Sequence, residues 1–144
     1  MLLENRYYRI IDRKAEGQDT VFRVALLPDC DIYQGHFPGN PVCPGVCNIE
    51  TVKECVEILT GKRLFIGFIR QCRLTAVASP DICPWVNVRI NCTPAEEGFA
   101  VTAKMSDDER VYMEYKGVMK ATGGRASRNS MRVYMEYKGV MKVL

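Results

Sequence analysis

One segment of the chain alternates apolar and charged positions with a helical period. Its apolar members, at intervals of three and four, are Val46, Ile49, Val52, Val56 and Leu59. The charged members that fall between them are Glu50, Lys53, Glu54 and Glu57. This spacing predicts one long amphipathic helix, and Gly61 is a typical residue for its C-terminal end.

Shorter runs on either side of this helix are rich in β-branched, aromatic and other apolar residues. They predict strands over 19–27, 64–77, 84–94, 99–106 and 110–120. Turn-forming residues separate the last four runs, so we expect consecutive antiparallel strands. The predicted fold class is therefore α+β, with one long α-helix against an antiparallel β-sheet.

Residues 29–44, between the first strand and the helix, predict a loop. Two glycines and three prolines lie there, a density that neither a helix nor a central strand accepts: Gly35, Pro38, Gly39, Pro41 and Pro44.

Composition places the chain among globular proteins. It has 144 residues, of which 47% are hydrophobic and 26% charged, enough for one domain with a real core. The net charge is +3, but residues 1–120 carry −1, so the basic excess belongs to the tail and a nucleic-acid partner is not expected. Neither a membrane-spanning run nor a signal peptide is recognisable, which predicts a cytoplasmic protein away from membranes.

Cysteine usage points to reduced, mostly buried thiols. The seven cysteines are an odd number without a CxxC pair, and the chain has a single histidine, His36. A disulfide framework and a structural zinc site both need more regular spacing or more ligands. We therefore predict no metal site.

The C-terminal region repeats itself. Residues 110–120 and 132–142 both read RVYMEYKGVMK, and a small, polar spacer separates the two copies. The expected division is a domain over 1–120, followed by a linker and duplicated final strand over 121–144. One exact copy favours a recent duplication or an artefact over a functional repeat. The alternative is a second strand that pairs with another subunit.

His36 and Glu50 are the candidates for acid–base chemistry, although each also has an ordinary structural explanation. A lone histidine in a loop is more often solvated or structural. Glu50 shares a helical face with Glu54 and Glu57, and an acid near a helix start is favourable in any protein. Periodicity alone therefore does not identify a site.

The string from Gly35 to Glu50, GHFPGNPVCPGVCNIE, changes this balance. It resembles the active-site segment of the bacterial 3-hydroxyacyl-ACP dehydratases, in which a His-Phe-Pro-Gly-x-Pro loop precedes a Pro-Gly-Val helix start and then an acid. The resemblance covers roughly residues 3–120, and Glu50 as the acid points to the FabZ-like branch. Glu54 stands where this family usually has an amide.

The resemblance implies a hotdog fold, with the sheet wrapped around one long central helix. It also implies a homodimer whose active sites combine residues of both subunits, or a higher homo-oligomer of such dimers. The implied reaction converts 3-hydroxyacyl-ACP to trans-2-enoyl-ACP in fatty acid biosynthesis, without metal or organic cofactor.

The resemblance also assigns roles in the catalytic site. His36 would accept the α-proton, because an unperturbed imidazole is a neutral base near pH 7. Glu50 would donate a proton to the leaving hydroxyl, which requires an apolar environment that raises its pKa. Backbone N–H groups around Gly45 would stabilise the thioester oxygen. The other expected substrate-binding residues are Phe37, Pro44 and Val46.

The substrate would arrive on the phosphopantetheine arm of an acidic acyl carrier protein. Arg63, Arg70 and Arg73 are candidate docking residues near the end of the helix, although scattered arginines are more often simply solvated. Two other functions stay open: a hotdog thioesterase, in which Glu50 activates water, and a non-catalytic scaffold subunit that binds acyl carriers. Fold alone does not separate the three.

Overall fold

A computed structural model describes residues 2–35 and 42–122. Within these ranges lie two helices, α1 (Ile32–Gly35) and α2 (Gly45–Thr60). The six strands are β1 (Tyr8–Glu16), β2 (Asp19–Leu26), β3 (Leu64–Leu74), β4 (Trp85–Ala95), β5 (Gly98–Ser106) and β6 (Val111–Ala121). The α+β class is confirmed, and all five strands predicted from the sequence are present.

The strands form one antiparallel sheet in the order β1-β2-β4-β5-β6-β3. Consecutive pairing was therefore wrong for β3, which pairs with β6 at the sheet edge rather than with β4. In its place β2 pairs with β4, where Phe22 lies opposite Val88 and Val24 opposite Val86, all four fully buried. Such apolar cross-strand pairs favour this register.

Two elements departed from the predictions. Strand β1 was missed because its side chains are mostly exposed and charged, which suits an edge strand and leaves no apolar alternation in the sequence. Helix α1 interrupts the predicted loop, but it is only one turn long. The end of α2 agrees with the prediction: Gly61 adopts φ 69°, and its N–H donates to Glu57 O at 2.9 Å.

Helix α2 is buried on all sides along most of its length. Every residue from Gly45 to Val56 is buried, including the polar and charged ones. Strands β3, β4 and β6 pack against it, and the N-terminal segment ahead of β1 covers its polar face through hydrogen bonds to Glu54. The amphipathic pattern thus predicts the helix correctly, but its charged face does not lie in solvent.

The first copy of the repeated segment forms β6. After it, Ala121 N donates to Glu97 O at 2.9 Å and Thr122 N donates to Arg63 O at 3.2 Å. The second copy lies outside the described residues. None of the helices in residues 2–35 and 42–122 has the length and apolar character to cross a membrane.

Candidate active site

The N-terminal end of α2 presents free backbone donors. Pro44 precedes the helix with extended backbone (φ −64°, ψ 139°), and its carbonyl accepts from Cys47 N at 3.0 Å and Asn48 N at 3.2 Å. The amides of Gly45 and Val46 therefore have no acceptor in a preceding helical turn. Gly45 and Val46 are buried and Pro44 is half-buried. These two amides are candidate hydrogen-bond donors at the start of α2.

Glu50 lies about one and a half turns into the same helix. Only 2% of the residue is exposed, and among the described residues its Oε1 meets no aligned hydrogen-bond donor. Burial raises its pKa from 4.5 to about 7. The Lys53 ammonium, 3.1 Å from Oε1 in an ion pair, counteracts that rise, while Glu54 and Glu57 add to it. The carboxyl group is therefore poised to exchange a proton near neutral pH.

Glu54, one turn further along, has a different environment. Its Oε2 accepts from Leu2 N at 2.9 Å and Leu3 N at 3.0 Å. Its Oε1 accepts from Glu4 N at 3.0 Å and from the Tyr8 hydroxyl at 2.9 Å. Glu54, at the position where the family that the sequence resembles usually has an amide, thus anchors the N-terminal segment to α2 through its carboxyl group.

A buried polar cluster lies beside the helix start. The Tyr7 hydroxyl donates to Asn48 Oδ1 at 2.8 Å, and the Tyr33 hydroxyl lies 3.4 Å from Cys43 Sγ. Burial raises the pKa of the Cys43 thiol, which is therefore neutral near pH 7. Sequence reasoning gave neither tyrosine a place in the site, because Tyr7 is 41 residues from Asn48 and Tyr33 precedes the motif string that begins at Gly35.

The remaining predicted residues fall into two groups. His36 and Phe37 lie outside the described residues. The predicted docking residues Arg63, Arg70 and Arg73 are exposed, and within residues 2–35 and 42–122 none of them forms a salt bridge.

The cysteines are free thiols, and the expectation that most are buried is confirmed: Cys30, Cys43, Cys47, Cys55 and Cys83 are buried. In the described part of the chain, no group of three or more histidine, cysteine or acidic side chains could hold a metal ion.

An antiparallel sheet packed on one long helix is the arrangement of the hotdog fold. Sequence comparison gives the particular family. Residues 12–114 match the ApeI-like family, described as ApeI dehydratase, so the chain belongs to that family.

Similar curated proteins are dehydratases. The chain is 28% identical over 121 residues to the 3-hydroxyacyl-[acyl-carrier-protein] dehydratase FabZ of Pediococcus pentosaceus, covering 76% of this chain and 81% of that protein. It is 31% identical over 90 residues to FabZ of Lactiplantibacillus plantarum, covering 55% of this chain and 61% of that protein.

Solved structures support the hotdog fold. The dehydratase heterocomplex ApeI:P from Xenorhabdus doucetiae aligns with TM-score 0.65 and 21% identity, covering 78% of this chain and 96% of that one. A putative thioesterase from Lactococcus lactis aligns with TM-score 0.57 and 11% identity, covering 85% and 97%. At these identities the likeness concerns the fold alone.

Proposed function

We propose that this chain dehydrates 3-hydroxyacyl-ACP to trans-2-enoyl-ACP, with Glu50 as the proton donor. The observation that carries the proposal is the buried Glu50 carboxyl, whose pKa is raised to about 7, just inside a helix with free N-terminal amides. A carboxyl with an ordinary pKa would be ionised at pH 7 and could not protonate a leaving hydroxyl. Membership of a dehydratase family supports the same reaction.

In the proposed reaction the C2–H and C3–O bonds of the substrate break and a C2=C3 double bond forms. His36 takes the proton from C2, and Glu50 gives its proton to the hydroxyl on C3, which leaves as water. The amides of Gly45 and Val46 stabilise the negative charge on the thioester oxygen. Pro44 and Phe37 line the thioester site in this proposal. Protons exchanged with solvent then restore neutral His36 and protonated Glu50.

We assign delivery of the substrate to an acidic acyl carrier protein. Arg63, Arg70 and Arg73 support this assignment because they are exposed and without salt bridges in the described part of the chain. Raising salt should weaken turnover of the carrier-bound substrate more than turnover of a pantetheine thioester, since exposed charges are screened within about 10 Å at 0.1 M. Arg70→Ala should reduce only turnover of the carrier-bound substrate, and Arg9→Ala on β1 is the matched control. Equal effects on the two substrates would contradict this docking site.

A second copy of the chain is the proposed partner at the sheet edge. Strand β3 is an edge strand, and it exposes Phe68 (56%) and Leu74 (51%). Unpaired edges and exposed large apolar side chains both favour association. Sedimentation should show a homodimer that Phe68→Lys weakens. A monomer at all concentrations would contradict the homodimer and leave a different hotdog subunit as the partner.

The reaction itself is tested with a 3-hydroxyacyl thioester, by following formation of the enoyl product and release of free thiol. We expect enoyl product, with His36→Ala and Glu50→Gln each lowering the rate by about a hundredfold or more. Glu96→Gln, in an exposed turn, is the matched control. Free thiol would instead support a thioesterase, and binding without turnover would support a scaffold subunit.

If either catalytic variant, verified as folded, retained full turnover, the roles would be wrong. Mixing the two inactive variants and allowing subunits to exchange should restore activity when each site combines both subunits.

A place in fatty acid biosynthesis is part of the proposal, because enoyl-ACP is the product that a chain-elongating pathway then reduces.

A further inference from the structure

Three buried charged side chains stand out against an apolar interior. Among the described residues, the only charged residues that are buried are Glu50, Lys53 and Glu54, and all three lie on α2. A buried charge is costly unless it is paired, so each must have a partner. Glu54 has three donors from the N-terminal segment ahead of β1 and a fourth from Tyr8, the first residue of β1. Glu50 and Lys53 remain to be explained.

Lys53 connects Glu50 to Glu57, one turn away on either side. Its ammonium lies 3.1 Å from Glu50 Oε1 and donates a hydrogen bond to Glu57 Oε1 at 3.3 Å. Glu57 is itself fixed, because its Oε2 accepts from Leu64 N at the start of β3 at 2.9 Å. A backbone amide of β3 thus fixes the Glu57 carboxyl group, Glu57 fixes the Lys53 ammonium by a hydrogen bond, and Lys53 forms an ion pair with Glu50.

The two contacts of Lys53 are unequal. The one to Glu57 has hydrogen-bond alignment, whereas the one to Glu50 is an ion pair that leaves Oε1 without an aligned donor in the described residues. Lys53 therefore places a positive charge beside Glu50 without fully satisfying its oxygen. The positive charge of Lys53 lowers the pKa of the Glu50 carboxyl group and thus counteracts the effect of burial.

We propose that Lys53 is a positioning residue of the proposed dehydration site, which orients the Glu50 carboxyl and sets the pH at which it holds its proton, while Glu57 limits this effect. The inference rests on the proposed function, in which Glu50 is the proton donor. A merely structural role explains the triad less well, because buried ion pairs contribute little net stability compared with apolar side chains of similar volume.

The charges that act on Glu50 agree with this role. Burial raises the pKa of Glu50, Lys53 lowers it, and Glu54 and Glu57 raise it. Strands β3, β4 and β6, which pack against α2, contribute no buried charged residue within the described ranges. The remaining titratable partner of the proposed reaction is His36, which lies outside the described residues.

The proposal predicts pH shifts of opposite sign for two variants. Lys53→Met removes the positive charge at similar side-chain length, so the alkaline limb of kcat/KM should move up by about one pH unit. Glu57→Gln removes the competing carboxylate and its repulsion, so the same limb should move down. Lys53→Arg retains the charge and should stay near the wild-type profile. Lys14→Met, exposed on β1, is the matched control.

The carboxyl resonance of Glu50, followed by NMR with ¹³C-labelled glutamate and assigned by its loss in Glu50→Gln, gives a readout independent of turnover. Its titration midpoint should shift in the same directions as the kinetic limb. If the wild type shows no dehydration, the proposed function fails, whereas the NMR shifts still test Lys53. An unchanged midpoint in Lys53→Met, or equal loss of rate at every pH, overturns the inference. Should Lys53→Met fail to fold, the titration midpoint of Glu50 in Glu57→Gln and Lys53→Arg tests the inference. An unchanged midpoint in Glu57→Gln would then overturn it.

Discussion

Glu50 and Glu54 are two carboxyl groups one turn apart on the same buried helix, and their surroundings differ. Both are almost completely buried, at 2% and 0% exposure. Glu54 accepts four hydrogen bonds, three from backbone amides and one from Tyr8. Glu50 shares one lysine with Glu57. Burial alone therefore does not distinguish the two carboxyl groups; the supply of fixed donors separates Glu54, which anchors the N-terminal segment, from Glu50, the proposed proton donor.

The largest expected effect is the loss of stability in Glu54→Gln. An amide offers one acceptor oxygen, and its NH₂ group would face donors that now point at a carboxyl oxygen. We expect a loss of about 3 kcal/mol in the free energy of unfolding, measured by urea denaturation at pH 7. Glu50→Gln should not destabilise the fold at pH 7, because a neutral amide avoids the ionisation cost of a buried carboxyl group whose pKa is about 7. Exposed Glu96→Gln is the control. Equal losses at positions 50 and 54 would break the comparison.

The pH dependence of stability should come from Glu50. Its pKa is about 7 in the folded chain against 4.5 as the ordinary value, so the folded state binds more protons between these pH values. Stability from this group is therefore full below about pH 4.5 and falls as pH rises through about 7, by up to roughly 3 kcal/mol. The wild-type curve minus that of Glu50→Gln isolates the effect. A flat difference from pH 4.5 to 8 would show that the Glu50 pKa is ordinary.

A smaller effect is expected from Tyr8→Phe, which removes one of the four donors to Glu54. The hydroxyl-to-Oε1 bond of 2.9 Å is buried, and its loss should cost about 1 kcal/mol. In the Glu54→Gln background the same change should cost less, so a double-mutant cycle should give a coupling above about 0.5 kcal/mol. Additive losses would mean that Tyr8 stabilises the fold by packing and not through Glu54.

The sequence predicts the local elements of this fold better than their arrangement. Helix α2 and five strands carry periodic apolar patterns, and such patterns depend only on neighbouring residues. The placement of β3 beside β6 depends on pairing between residues that are far apart in the chain, such as Leu64 and Ala121. Strand β1 was missed for a related reason, since an exposed edge strand has no buried face to mark it.

The same distinction applies to the candidate site. Glu50 could be selected because it stands in a contiguous motif with a recognisable spacing. Lys53 and Glu57 could not, because charged residues at intervals of three and four on a helix usually face solvent. Only the burial of α2 by the N-terminal segment and the sheet turns that charged face into an interior network. Glu54 was noticed as unusual, but its donors lie about 50 residues earlier in the chain.

The smallest effect is expected from removing residues 123–144, which we propose to be dispensable. Asp107 favours the first copy as β6: its Oδ1 accepts from Glu109 N at 2.9 Å and Arg110 N at 2.8 Å, immediately before that strand. The spacer directly before the second copy, residues 121–131, contains no aspartate. Truncation after Thr122 retains β6, on which α2 packs, so it should change the free energy of unfolding by less than about 1 kcal/mol. The difference in stability between Glu50→Gln and Glu54→Gln should also persist in the truncated chain. Urea denaturation of the truncated wild type and the two truncated variants measures both effects. Truncation after Gly117, within β6, is the destabilised control. Unfolding on truncation after Thr122 would show instead that the tail supplies a strand on which the environments of both carboxyl groups depend.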